Sequence, residues 1–285
     1  MPLVGLRNSF PRRAQHYADR EAHNKKGSGM EILVRPRTVA KVLASVVLVL
    51  TVFHVLTLVS IFYFDQPKLF GLVPLFNFDS ENNIPSLFSA ALFLFCALLL
   101  VIIGSAQRHR GAKFALHWIL LGALFVFLGI DEATHLHERL TVPVRNALNL
   151  SGVLYFGWVV PYIVMCVVLG IAYLSFWFSL PARTQVNLVV AAGLFLSGAI
   201  GFELLGAREF EAGRAGAVLY ALYYTVEEFL EFSGLVAFVY ALLSYVGEGL
   251  RGLRLGISQP VHYAWPYLGR RSFALKALKS EVRGA

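Results

Sequence analysis

Six stretches of this chain, at about 40–64, 86–104, 114–130, 153–178, 186–206 and 217–246, are apolar over lengths that a helix needs to cross a bilayer. A hydrocarbon core of about 30 Å takes roughly 20 residues of helix. Backbone polar groups in lipid must be satisfied within the segment, and unbroken apolar runs meet that demand only as helices. The expected fold is therefore all-α, a polytopic membrane bundle of six transmembrane helices. With 57% hydrophobic and 15% charged residues, little polar chain remains for a separate soluble domain. The expected organisation is a basic, disordered tail over 1–39, a membrane domain over 40–246 and a second basic tail over 247–285. Residues 24–29 read as polar filler, so Met30 is an alternative start to Met1. No apolar core of a cleavable signal precedes the first span, which would itself direct insertion.

Six spans put both tails on one side, and charge says which. The tails and the short loops near 105–113 and 181–185, counted with Lys41 at the start of the first span, hold 20 of the 25 Lys and Arg. The opposite loops, with the span ends they adjoin, hold 12 of the 17 Asp and Glu. Lys and Arg favour the cytoplasmic side, so both termini are expected in the cytoplasm, in a bacterial inner membrane. The net charge of +8 is then a topology signal with some affinity for anionic lipid heads. Membrane lipids are the expected partners, and nucleic acid is not, because the positive charge is spread over tails and short loops. Cys96 and Cys166 lie inside apolar spans and read as small packing residues.

That topology gathers the acids. Span three ends at Asp131, Glu132, His135, His137 and Glu138; span five ends at Glu203, with Glu209 and Glu211 beyond; span six begins with Glu227, Glu228 and Glu231. All fall at the outer, periplasmic boundary. A carboxylate costs about 2.5–3.5 kcal/mol at a membrane helix centre on insertion scales, so such a gathering is paired or in use. If span three stays helical through Glu138, Asp131, His135 and Glu138 share a face, with Glu132 roughly 60° round and His137 pointing away. Glu227 and Glu231 are i, i+4 neighbours with Tyr220 and Tyr224 near their face, while Glu228 turns about 100° aside. Gly193, Ser197, Gly198 and Gly201 would let span five approach its neighbours closely.

Helical phase thus selects Asp131, Glu132, His135, Glu138, Glu203, Glu227 and Glu231 as candidate metal ligands, with the carboxyls of Asp131, Glu203 and Glu227 expected in one coordination sphere. Oxygen-rich ligation with one imidazole suits a divalent Fe, Mn or Zn. Glu132 and His135 form the one Glu-x-x-His; di-metal carboxylate bundles use two. A metal centre would activate water or an oxygen species against a lipid or lipid-soluble substrate. Two other readings stay open. Clustered membrane carboxylates also mark an ion-coupled transporter or permease, although spans one, two and four carry no mid-membrane charge and His54 and His117 would have to serve. Arg139, Arg145, Arg208 and Arg214 lie on the same side and could turn the acids into a non-catalytic scaffold of salt bridges.

The loop from Phe78 to Ser86 lies on that side too. Its Asn-Asn-Ile-Pro-Ser run reads as a helix start, with Asp79, Glu81 and Asn83 as contributors to either a cap or a site. Pro161 is expected to kink span four, and Trp118, Trp158 and Trp177 read as belt or packing residues. Residues 273–279 could form a basic amphipathic helix on the inner surface.

The segments Phe78-Asp79 through Asn83-Ile84-Pro85, Leu128 to Glu132 with His137-Glu138, Gly201-Phe202-Glu203, and Val226-Glu227-Glu228 with Glu231 resemble a family of uncharacterised bacterial multipass membrane proteins. The resemblance covers roughly residues 40–246 and implies that the acidic segments act as a unit, without implying an activity. The alkaline ceramidase and adiponectin receptor superfamily of membrane zinc hydrolases differs, because its paired His-x-x-x-His near the last span is absent here.

Overall fold

A computed structural model describes residues 35–249, and these contain helices and turns but no strand. Among the described residues, six helices are long and apolar enough to cross a membrane. In chain order the helices are α1 (Pro36–Phe62), the short α2 (Leu72–Phe76), α3 (Ile84–His109), α4 (Ala115–Thr134), α5 (Glu138–Leu148), α6 (Val159–Phe178), α7 (Ala182–Leu196), α8 (Glu203–Glu211) and α9 (Val218–Gly249). A π-helical segment, Ser197–Phe202, joins α7 to α8 within the fifth span. Most of the basic tails, including residues 273–279, lies outside the described residues.

Helix α9 is the hub. It packs against α1, α3, α7, the π segment and α8, while α3 and α4 pair closely with each other. One apolar cluster, with Cys96, Leu100, Ile103, Trp118, Phe176 and Leu242, holds α3, α4, α6 and α9 together near one end. A second, with Val47, Leu50, Phe78, Phe93, Phe232 and Leu235, joins α1, α3 and α9 nearer the acidic end. The cysteines are free thiols, Cys96 fully buried.

Three sequence expectations need correction. Span three does not stay helical through Glu138: α4 stops at Thr134, because His135 takes a left-handed conformation with φ 51°. Span four begins at Val159 rather than near 153, since Gly152–Leu154 forms a separate 3-10 turn. Pro161 then falls in the first turn of α6, where its missing N–H would have no helical partner anyway, so it bends nothing.

The start of α3 follows its sequence. Asn83 accepts from the Ser86 N–H at 2.9 Å and Ser86 Oγ accepts from the Asn83 N–H at 3.0 Å, a reciprocal cap. The Asn83 amide also donates to the carbonyls of Asn77 and Ser80, at 2.7 and 2.6 Å, which folds the 77–83 loop over the helix end. His54 pins the same loop from α1. Its Nδ1 accepts from the Phe78 N–H at 3.1 Å, so Nε2 carries the proton and donates to Thr225 Oγ1 at 2.9 Å. With both nitrogens engaged and its ring stacked on Phe78 at 4.1 Å, His54 is a strut and not a free relay group. Asn83→Ala removes the cap and orphans two carbonyls; the expected loss is about 2 kcal/mol, read as a lower unfolding temperature in detergent.

Candidate functional site

The break after α4 builds the mouth of the site. Asp131, one turn before the break, accepts from the His137 N–H at 2.8 Å and from the Tyr162 hydroxyl at 2.7 Å. Its Oδ2 also lies 3.2 Å from His137 Nδ1. The carboxylate thereby ties the loop back onto the helix and fastens α6 to it. Burial works against a charged His137, but the Asp131 hydrogen bond and the nearby charges of Asp131, Glu132 and Glu138 outweigh it and hold the imidazole above its ordinary range. His137, set aside by the uninterrupted-helix reading, is therefore bound into the site, its ring 4.6 Å from that of Trp158.

His135 is turned the other way by its left-handed backbone. Its Nδ1 lies 3.6 Å from Glu81 Oε1, and Glu81 in turn shares a hydrogen bond with Glu138. One ligand atom from each of Glu81, His135 and Glu138 falls within 4.8 Å of the others, which is the one such three-residue group of His, Cys and carboxylates among the described residues. His135 Nε2 is buried and has no hydrogen-bond partner. Crowding by protein, the bond to Glu81 and the Glu81 charge push Glu138 up to about 7. Asp79 is pushed up to about 6, first by the protein packed around it and further by Glu81, against the nearby Tyr220 hydroxyl.

Beneath the mouth lie five half-buried carboxylates from three elements: Glu132 on α4, Glu203 at the start of α8, and Glu227, Glu228 and Glu231 on α9. Glu203 accepts from Trp158 Nε1–H at 2.8 Å and shares a hydrogen bond with Glu227. Glu228 faces Glu132, Glu203 and Asp79, and Glu231 faces Glu228, Glu132 and Glu203. The 100° offset of Glu228 from Glu227 does not remove it, because α4 and the fifth span approach α9 from different sides. The fifth span comes close through Gly198. A Cβ there would sit 2.5 Å from the Glu227 carbonyl oxygen and 2.9 Å from Glu231 Cγ, whereas Gly193 and Gly201 face open space.

Asp131, Glu203 and Glu227 do not share one ligand-distance group; Asp131 is held by His137 and Tyr162 instead. Of the seven residues chosen by helical phase, His135 and Glu138 meet at the mouth with Glu81, and Glu132, Glu203, Glu227 and Glu231 meet below with Glu228. The arginines do not answer the cluster. Arg214 pairs with Glu209 at 2.6 Å, Arg145 lies over the Tyr155 ring at 4.1 Å, and no ion pair among the described residues joins Arg or Lys to the five inner carboxylates. Glu211 accepts from the Gly152 N–H and so belongs to the loop packing. Several half-buried carboxylates packed together without basic partners need protons or a bound cation to persist.

Glu81, Asp79, His137, Trp158, Tyr162 and Glu228 are the members that helical phase missed. The i, i+4 spacing of Trp158 and Tyr162 at the start of α6 was a usable signal, since it puts two hydrogen-bond donors on one face at the depth of the acids.

A family model described as a domain of unknown function (DUF8692) matches residues 41–246, most of the chain, and the chain belongs to that family. No curated protein and no solved structure matches it.

Proposed function

We propose that this member of the DUF8692 family binds a divalent metal, Fe, Mn or Zn, at the mouth formed by Glu81, His135 and Glu138. In this reading it acts on a lipid or lipid-soluble substrate at the periplasmic face of a bacterial inner membrane. The carrying observation is the group itself: one ligand atom from each of Glu81, His135 and Glu138 lies within 4.8 Å of the others, with His135 Nδ1 3.6 Å from Glu81 Oε1. One imidazole with carboxylate oxygens suits these metals. Asp131 and His137 would position the loop that carries His135 and Glu138, while Glu132, Glu203, Glu227, Glu228 and Glu231 would hold protons beneath. When bound, the metal would polarise an oxygen of water or substrate.

Elemental analysis of protein purified without chelator tests this. About one equivalent of metal is expected in the wild type, and loss of it in a Glu81→Gln plus Glu138→Gln variant. A metal-free wild type, or unchanged content in the variant, contradicts the proposal. Proton competition gives a further expectation. Because Glu138 sits up at about 7 and must be ionised to bind metal, affinity is expected to fall as pH drops below 7 and to level off above it. Zinc titrations between pH 5.5 and 8.5 read that slope.

One observation favours a second reading, a cation or proton path. Carboxylates run from Glu138 through Glu203 and Glu227 to Glu231, each facing the next. Cation-dependent flux in liposomes that disappears in Glu231→Gln, with no metal in the wild-type protein, would select it.

A further inference from the structure

A cavity of about 260 Å³ lies beneath the acidic pocket, between α4, α6, the fifth span and α9. Its walls include Leu124, Met165, Cys166, Leu169, Phe195 and Ala199, and its upper end is formed by Trp158 and Tyr162. Those two side chains join the cavity to the acids, since the Trp158 N–H is taken by Glu203 and the Tyr162 O–H by Asp131. The carboxylates of Glu203 and Asp131 therefore stand directly behind the upper end, where they accept hydrogen bonds and disfavour an anion, while the walls below are apolar.

The fourth span forms a side of this cavity. Trp158 and Tyr162 tie one end of α6 to the site, and the Tyr173 hydroxyl bonded to the His117 carbonyl at 3.0 Å, with Phe176 against Trp118, tie the other. Between residues 163 and 172 α6 makes no side-chain hydrogen bond or ring contact among the described residues. Its outer face there is apolar and exposed, Ile171 by 72%. Over that stretch only apolar packing holds α6 against the cavity, so a chain entering there from the lipid would have no hydrogen bond to break.

We infer that the cavity is the chain-binding subsite of the acidic pocket, and that its ligand is a long-chain membrane amphiphile whose head donates hydrogen bonds, a hydroxyl or an amine, and carries no negative charge. The inference deepens the proposed function by naming a substrate class. It rests on the acidic pocket being the reactive end of the site but not on a metal being held there.

Photolabelling tests it. Full-length protein in zwitterionic nanodiscs is irradiated with a long-chain alcohol carrying a mid-chain diazirine, and adducts are mapped by peptide mass spectrometry. Expected are adducts at Met165, Cys166, Leu169 and Phe195, reduced several-fold by the unlabelled alcohol and not by the matching fatty acid anion. Ala199→Phe, or Leu169→Trp should the first variant fail to fold, fills the cavity and is expected to remove inner-face adducts while leaving those at Val164, Val168 and Ile171. Adducts confined to that outer face, or inner adducts that no alcohol competes, overturn the inference, as does equal competition by the fatty acid. Metal content measured on the same nanodiscs separates the two claims: loss of inner labelling leaves the metal result standing, and a metal-free protein leaves the labelling result standing.

Discussion

Gly198→Leu is expected to be strongly damaging, lowering stability by about 3 kcal/mol or more. The obstacle is backbone. Even the Cβ would lie 2.5 Å from the Glu227 carbonyl oxygen and 3.2 Å from the Glu231 N–H nitrogen, and neither can rotate away as a flexible side chain could. The fifth span must then withdraw from α9, which parts Glu203 from Glu227 and opens the wall of the cavity. Gly193→Ala and Gly201→Ala supply the contrast. Both positions face open space, and alanine in a helix gains roughly 0.5–1 kcal/mol over glycine, so neither should lower the unfolding temperature. Thermal unfolding of the three variants in detergent reads the difference directly.

The second large effect falls on His135, where function and stability should move in opposite directions. A non-glycine residue at φ 51° is strained by about 1 kcal/mol. His135→Gly relieves that strain and deletes the imidazole together. Metal affinity is expected to drop at least about 100-fold, beyond the usual cost of losing an outer-shell partner, while the unfolding temperature of metal-free protein holds or rises. His137→Ala should behave differently. It keeps Glu81, His135 and Glu138 but frees Asp131 from its ring contact, so metal affinity should fall by about 10-fold. Stability should fall too, because the ring packs on Trp158. Metal titration and unfolding of both variants separate the residue that would bind metal from the one that positions it.

Much of this site was legible in the sequence at the level of elements. Apolar run length locates six spans because the bilayer imposes it, and the Asn83-Ile84-Pro85-Ser86 run names its own cap. The gathering of Glu132, Glu203, Glu227 and Glu231 follows from counting spans. What the sequence hid was the break at His135. No glycine, asparagine or proline marks it, and Asp131 to Glu138 reads as continuing helix. The stop depends on Asp131 accepting the His137 N–H and on Tyr162 arriving from a helix 31 residues away. A single left-handed residue then rephases everything after it, which is why His137 escaped a helical-wheel argument, whereas Glu81 lies on the 77–83 loop, where no helical phase applies. The π segment shifts phase again between Ser197 and Phe202, so the approach of Gly198 to α9 was signalled only as a general preference for small residues. Glu228 shows a related point: one helical face is too small a unit when neighbours press on α9 from several directions.

Whether His135 and its two carboxylate neighbours hold a metal is read most directly by X-ray absorption of the zinc-loaded protein. An imidazole nitrogen is expected at about 2.0–2.1 Å with oxygen completing the shell, and the imidazole scattering should disappear in His135→Gly. A wild-type shell without imidazole, or one that His135→Gly leaves unchanged, would contradict a metal centre there.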